Sequence, residues 1–260
     1  MKKLSLLALL TSIALSGCLF SSYNYNDYGF KPLEEKEMVF SDIEAISVDW
    51  INGNIIIEQD NFTKANNVTI QENEEKYPLY YKVDKGELQI KYVKNQTSNS
   101  VIQSLSKTLT LNVPSSIKKY EFNTINTKVD VPHFLYADSL DVKMTNGSFN
   151  AGGIRIDKTE FDVVNANIVI HNIICRGEYD AENEKTIYYN SEVTIDSVNG
   201  NATLGIDEVY GYQVSFHAVN GKYASIYQEE VLYEYSAKKV IIDFDSVNGN
   251  LNIVKNKVIQ

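Results

Sequence analysis

Val193-Thr194-Ile195-Asp196-Ser197-Val198-Asn199-Gly200-Asn201-Ala202-Thr203-Leu204-Gly205-Ile206 alternates apolar and polar residues on both sides of an Asn-Gly pair. If Asn199 and Gly200 are the central turn residues, Ser197 faces Ala202, Ile195 faces Leu204 and Val193 faces Ile206. One side is then free of charge, and the other carries Asp196 and Thr203. Alternation with period two marks a half-buried strand. The same pattern recurs around Asn52-Gly53, Asn126-Thr127, Asn146-Gly147, Asn165-Ala166, Asn220-Gly221 and Asn248-Gly249. The same register places Val48 and Trp50 with Ile55 and Ile57, Phe122 with Val131, Val142 and Met144 with Phe149 and Ala151, Phe161 and Val163 with Ile168 and Ile170, and Phe244 with Ile253 on the inner face. A one-residue slip would turn every one of these side chains outward, so the shared register is a strong constraint.

Two all-β folds meet it. Asn-Gly is the strongest short hairpin signal, through a type I′ turn, and would build an antiparallel β-sandwich. Alternatively the chain turns a corner and each arm pairs with the next repeat, giving a right-handed β-solenoid (β-helix-like) domain. The steps from Asn126 to Asn146, Asn146 to Asn165 and Asn199 to Asn220 are 20, 19 and 21 residues. A period near 20 favours the solenoid, because each rung can stack on its neighbour and share one core. Stacked corner Asn side chains could then hydrogen-bond along the axis, and Asn tolerates positive φ. Gly200 is expected in left-handed backbone. The longer intervals after Asn165 and Asn220 imply insertions near 175–190 and 227–238.

Composition agrees with a strand-and-turn protein. The 260 residues include 27 Asn, 18 Tyr and 13 Gly, with only 3 Met; aromatic and β-branched residues suit a pleated surface, while Asn and Gly suit turns. A net charge of −10 and the scattered Lys residues exclude a nucleic-acid partner, which needs a cationic footprint.

Met1-Lys2-Lys3, the apolar run Leu4 to Leu15 and Leu15-Ser16-Gly17-Cys18 follow the order of a secretory signal. Leu-Ser-Gly-Cys resembles the lipobox of bacterial lipoproteins, which implies cleavage before Cys18 and attachment of lipid (diacylglycerol, with palmitate-type acyl chains) to its thiol. The expected organisation is a signal peptide over 1–17, a lipidated N-terminus and tether over 18–37, and a β-repeat domain over 38–260. Loss of two Lys with the leader takes the charge to −12. Nineteen tether residues reach at most ~65 Å at about 3.4 Å each. Cys175, in an apolar run, reads as a small buried hydrophobe without a disulfide partner. Leu19 is compatible with outer-membrane sorting.

Leu109-Thr110-Leu111-Asn112-Val113-Pro114, followed by recurring Ser/Thr-Val-Asn-Gly-Asn corners, resembles the bacterial putative-adhesin domains of β-strand repeats over about residues 40–260. The resemblance implies a solenoid-like fold on the cell envelope. Residues 58–108 depart from the repeat: Val68-Thr69-Ile70, Leu79 to Val83 and Glu87 to Tyr92 read as strands, the latter two joined at Asp84-Lys85-Gly86, and polar Asn95 to Lys107 as an exposed excursion.

No motif carries catalytic chemistry. His171 and Cys175 lack the further ligands that zinc needs, His133 and His217 are isolated, no nucleophile elbow is present, and the two Arg, Arg155 and Arg176, are far apart in sequence. No cofactor is implied. Three residues before each corner Asn stand Asp49, Asn123, Lys143, Asp162, Asp196, His217 and Asp245; in a solenoid they form an outward column with rungs ~4.8 Å apart. Asp162 and Asp196 would be neighbours there and are a weak Ca²⁺ candidate; the plainer reading is a solvated acidic face. The expected function is adhesion, binding or envelope scaffolding by a lipid-anchored, non-enzymatic protein at the outer membrane or cell surface, with a glycan or protein partner. The alternatives are a glycan-processing enzyme on a β-helix scaffold and an envelope-stress component acting through a protein. An enzyme should show a groove with convergent acids, a scaffold repeated uniform faces.

Overall fold

The computed structural model describes residues 23–60, 66–207, 210–226 and 239–256. The leader, Cys18 and the 227–238 insertion lie outside the described residues. The described chain is all-β apart from one short helix, and no helix in it is long and apolar enough to cross a membrane. Its strands are β1 (Lys31–Pro32), β2 (Glu37–Ser41), β3 (Ala45–Asp60), β4 (Asn67–Glu72), β5 (Tyr80–Asp84), β6 (Glu87–Lys91), β7 (Lys107–Pro114), β8 (Lys119–Ile173), β9 (Gly177–Asp180), β10 (Lys185–Tyr188), β11 (Ser191–Ser197), β12 (Asn201–Ile206), β13 (Gly211–Ala218), β14 (Tyr223–Ser225), β15 (Lys239–Ser246) and β16 (Leu251–Lys255); helix α1 (Asn99–Ser104) precedes β7. All but β9 and β10 join one 14-stranded mixed sheet, with no closed barrel.

The arms on either side of a corner pair with neighbouring repeats. β11 runs parallel to β8, with Ile195 opposite Phe161, and to β15, with Ile195 opposite Phe244. Beyond the corner, β12 does the same, with Ala202 opposite Ile168 in β8 and Leu251 in β16. Likewise β3 runs parallel to β8 through the whole corner, Asn52 opposite Asn126. Every residue assigned above to the inner face is buried, including Trp50, Phe122, Phe149, Phe161 and Phe244. Each large apolar side chain so removed from water contributes roughly 1.5–3 kcal/mol.

Spatial order departs from chain order at both ends. β15 and β16 insert between β11/β12 and β13/β14, so the 21-residue step from Asn199 to Asn220 does not connect neighbouring strands of the sheet. At the other end, β6 and β7 flank β3 on the side away from β8. Antiparallel strands close that end: β1 on β5, β5 on β6, β2 on β4 and β4 on β7.

Two expectations change. Part of the expected tether, residues 23–37, lies on the body. The Tyr23 N–H donates to Thr97 C=O (3.1 Å), the Gln96 N–H to Tyr23 C=O (2.7 Å), Leu33 is buried and β1 pairs with β5. It shows no periodicity because backbone pairing and Tyr rings hold it, not an alternating face. The 95–107 segment is exposed along much of its length, as expected, but it is anchored in the body. Ile102 and Leu105 of the α1 region are buried, and Lys107 is wholly enclosed. The 175–190 insertion forms the β9–β10 hairpin, and Asp84-Lys85-Gly86 turns β5 into β6 with φ of 50° at Lys85 and 80° at Gly86.

Candidate functional site

Seven corner Asn side chains form one unbroken ladder. Nδ2 of Asn126 donates to Oδ1 of Asn52 (2.9 Å), Asn146 to Asn126 (3.0 Å), Asn165 to Asn146 (2.9 Å), Asn199 to Asn165 (2.8 Å), Asn248 to Asn199 (2.8 Å) and Asn220 to Asn248 (3.0 Å). Asn52 ends the series by donating to Ile102 C=O of α1 (3.1 Å). Each interior amide thereby uses one donor and one acceptor on its neighbours, so the side chains are committed to the fold.

The glycines beside them serve two purposes. Gly53 (φ 110°) and Gly147 (φ 144°) occupy backbone that L side chains rarely adopt, and a Cβ there would lie 2.1 Å from Lys107 O and 1.9 Å from Thr127 O. Gly200, Gly221 and Gly249 are not in left-handed backbone, contrary to the expectation for Gly200. They are small because the stacked corners nearly touch: a Cβ on Gly249 would meet Gly200 O at 2.2 Å, and one on Gly221 would meet Gly249 O at 2.0 Å.

The outward column is also in place, Asp196 standing opposite Asp162 on one side and Asp245 on the other, with His217 opposite Asp245. Toward the β3 end the charges alternate: Lys91 pairs with Asp49, which accepts from Asn123 (3.1 Å), and Lys143 pairs with Asp141 (3.3 Å). Toward β15 the acids adjoin. Burial, then the charges of Asp162, Asp245 and Asp243, push the Asp196 carboxyl up to about 6, and burial and Asp141 raise Asp162. His217, Asp243 and Asp245 bring one ligand atom each within 4.8 Å of one another. Below about pH 6 a proton held on Asp196 relieves this repulsion, and above it a cation could do the same.

A groove of about 450 Å³ lies at the opposite end of the first arms, lined by Ser115, Ser116, Ile117, Lys118, Tyr136, Ala137, Asp138, Arg155 and Arg176. Its walls are stacked turns, with the Lys118 N–H on Glu44 C=O (2.8 Å) and the Asp138 N–H on Lys118 C=O (2.8 Å). Both Arg of the chain therefore line one cavity. The signal was present in their spacing of 21 residues, one repeat, but the distance along the sequence hid it. Arg176 contacts Asp138 (2.9 Å), Asp157 (3.0 Å) and Glu178 (2.9 Å). Arg155 donates to Gly177 C=O (3.2 Å) and lies 5.9 Å from the Tyr136 ring centroid.

His133 is exposed and Cys175 is buried. One charge pair among the described residues is fully enclosed: Lys107 with Glu72, behind Gly53. The ammonium also donates to Tyr77 C=O (2.9 Å) and lies 4.8 Å from the Tyr92 ring centroid. Burial pushes Glu72 up and Lys107 down, each partly restored by the other's charge.

No family model and no curated protein matches the chain. Among solved structures it is similar to a putative cell adhesion protein from Clostridium sporogenes, at 18% identity and a TM-score of 0.51, covering 87% of this chain and 100% of that one. It is also similar to a putative adhesin from Bacteroides fragilis, at 13% identity and a TM-score of 0.45, covering 84% of this chain and 96% of that one. The first likeness establishes a shared fold.

Proposed function

We propose that the chain is an envelope-anchored bacterial lipoprotein, held by lipid on Cys18 after removal of residues 1–17, whose body is a right-handed β-solenoid used for non-enzymatic adhesion or binding at the outer membrane or cell surface. The observation that carries this reading is the parallel register running through the corners, with its seven-membered Asn ladder: one repeated face built from equivalent positions. The lipobox-like Leu15-Ser16-Gly17-Cys18 supports the anchor, and the fold shared with a putative cell adhesion protein supports the role. The partner is a glycan or a protein reached from a lipid-held base, and nucleic acid is disfavoured by charge. A glycan-processing enzyme is the weaker reading, because glycosidase chemistry calls for two carboxylates about the scissile bond and Asp138 is the one carboxylate among the groove's lining residues.

Fatty-acid labelling of the wild type and Cys18→Ala, with protease shaving of intact cells, tests the proposal. Label on the wild type alone and cleavage by external protease are expected. An unlabelled wild type removes the lipoprotein; labelled protein that resists shaving removes surface adhesion.

A further inference from the structure

The groove between Lys118 and Arg176 is unlike the rest of this acidic molecule. Three of its lining residues are cationic, and they differ in what they already hold. Lys118 is paired with Glu44 (2.8 Å), and Arg176 is enclosed by Asp138, Asp157 and Glu178. Arg155 makes no ion pair within 4 Å among the described residues: it donates to one carbonyl, lies beside one aromatic ring and feels the Asp157 carboxylate only at longer range. A guanidinium offers five N–H donors in a planar fork suited to a carboxylate, so one hydrogen bond leaves most of that capacity unused. Around it stand the exposed hydroxyls of Ser115 and Ser116 and the Asp138 carboxylate, whose Oδ1 accepts from Arg176. Tyr136 supplies a ring whose backbone is clamped by Gln59, the Tyr136 N–H donating to Gln59 Oε1 (2.6 Å) and Gln59 Nε2 to Tyr136 C=O (3.1 Å).

We infer that this groove binds a sugar acid, a glycan residue carrying one carboxylate, with Arg155 taking the carboxylate and Ser115, Ser116 and Asp138 taking ring hydroxyls. This rests on the binding role proposed above and names its ligand class. The lining decides among anions. A bare anion such as phosphate would be served by Arg155 but repelled by Asp138, and a run of acidic side chains would meet the same repulsion. A sugar acid brings hydroxyl donors to the acceptor and a carboxylate to the one guanidinium of the groove that holds no ion pair. The groove's volume falls within the range of small-ligand sites, and Tyr136, Asp138 and Arg155 are carried by strand β8, which holds a site more precisely than a loop does.

Ligand-observed NMR on the full chain in detergent, with glucuronate and galacturonate as probes, tests the inference. Saturation transfer to at least one sugar acid is expected, weakened at least tenfold by Arg155→Gln and by methyl esterification of the sugar. Ser115→Ala with Ser116→Ala should weaken it several-fold. An unshifted melting curve for Arg155→Gln shows that affinity, not folding, has changed; should that variant unfold, the methyl ester carries the same test on the wild-type chain. Equal binding of acid and ester, full affinity in Arg155→Gln, no transfer to either sugar acid, or displacement by equimolar inorganic phosphate or tetraglutamate would each overturn it. Binding by a protein that proves unlabelled or shaving-resistant leaves this inference standing without the envelope reading. Labelled, shaved protein that binds neither sugar acid removes this inference alone.

Discussion

The two halves of the stack solve one problem with different backbones. From Asn52 to Asn165 the corners lie within the long strands β3 and β8, and two of them turn at glycines with positive φ. At Asn199, Asn248 and Asn220 the strands stop on each side of the corner, and the glycines are there for clearance. The outward column changes close to that boundary, from ion-paired Asp49 and Lys143 to adjoining Asp162, Asp196 and Asp245. The same Asn ladder crosses both halves, so the side-chain amide, not the turn type, is the constant of the repeat. An Asn-Gly dipeptide thus reports where the chain turns, and its backbone conformation depends on what stacks above and below.

The largest expected effect lies at the closed end of the first half. Lys107→Ala would leave Glu72 buried opposite a void and free the carbonyls of Tyr77 and Tyr92, a change that costs roughly 3–5 kcal/mol when one partner of a buried ion pair is removed. Chemical denaturation should show that loss, whereas removing an exposed pair such as Lys158 and Glu160 should leave the unfolding midpoint nearly unmoved. The glycine comparison comes next. Gly147→Ala adds strain to a clash with Thr127 O and should cost at least about 2 kcal/mol. Gly200→Ala, whose Cβ would meet Ser197 Cβ and Ala166 O at 3.0 and 3.1 Å, should cost about 1 kcal/mol or less. Equal losses would erase the distinction between the two kinds of corner.

Much of this was legible in the residues. The alternation about each Asn assigned the inner face correctly, because a strand's period of two leaves no freedom once one face is buried. The spatial order of the last repeats was not legible: spacing measures chain length, and a 49-residue step from Asn199 to Asn248 joins neighbouring Asn side chains as well as a 19-residue one. Polar composition concealed the buried anchors of the 95–107 segment, Ile102, Leu105 and Lys107, the last tolerated because Glu72, distant in sequence, meets it. Arg155 and Arg176 share a groove for the same reason that the Asn share a ladder, and a search along the repeat would have joined them.

A smaller effect probes the ladder at the boundary of the halves. Asn165→Ala removes one amide that donates to Asn146 and accepts from Asn199. Two exposed hydrogen bonds at about 0.5–1.5 kcal/mol each set the scale. A loss of about 1–2 kcal/mol in denaturant unfolding is expected, and Asn220→Ala, which removes one bond at the far end, should cost about half as much.

The smallest effect is confined to the second half and to a pH window. Asp196 is held above its ordinary value, at about 6, by burial and then by Asp162, Asp245 and Asp243. A carboxyl whose folded pKa is raised binds its proton more tightly in the native state. Stability from this group is therefore fully present below the unfolded value, about 3.9, and lost as pH rises through about 6. Asp196→Asn should stabilise the protein above pH 6 by roughly 1 kcal/mol, after allowance for solvent screening of a half-buried site, and should change little at pH 4. Asp49→Asn, in the alternating half, should do the opposite at neutral pH, because it deprives Lys91 of its partner. Thermal melts at pH 4 and pH 8 separate the two. If both variants shift stability in the same direction at pH 8, the contrast between compensated and crowded halves of the column is wrong. If millimolar Ca²⁺ raises the wild-type melting temperature at pH 8 but leaves Asp196→Asn unmoved, the crowding is relieved by a cation and not by a shared proton.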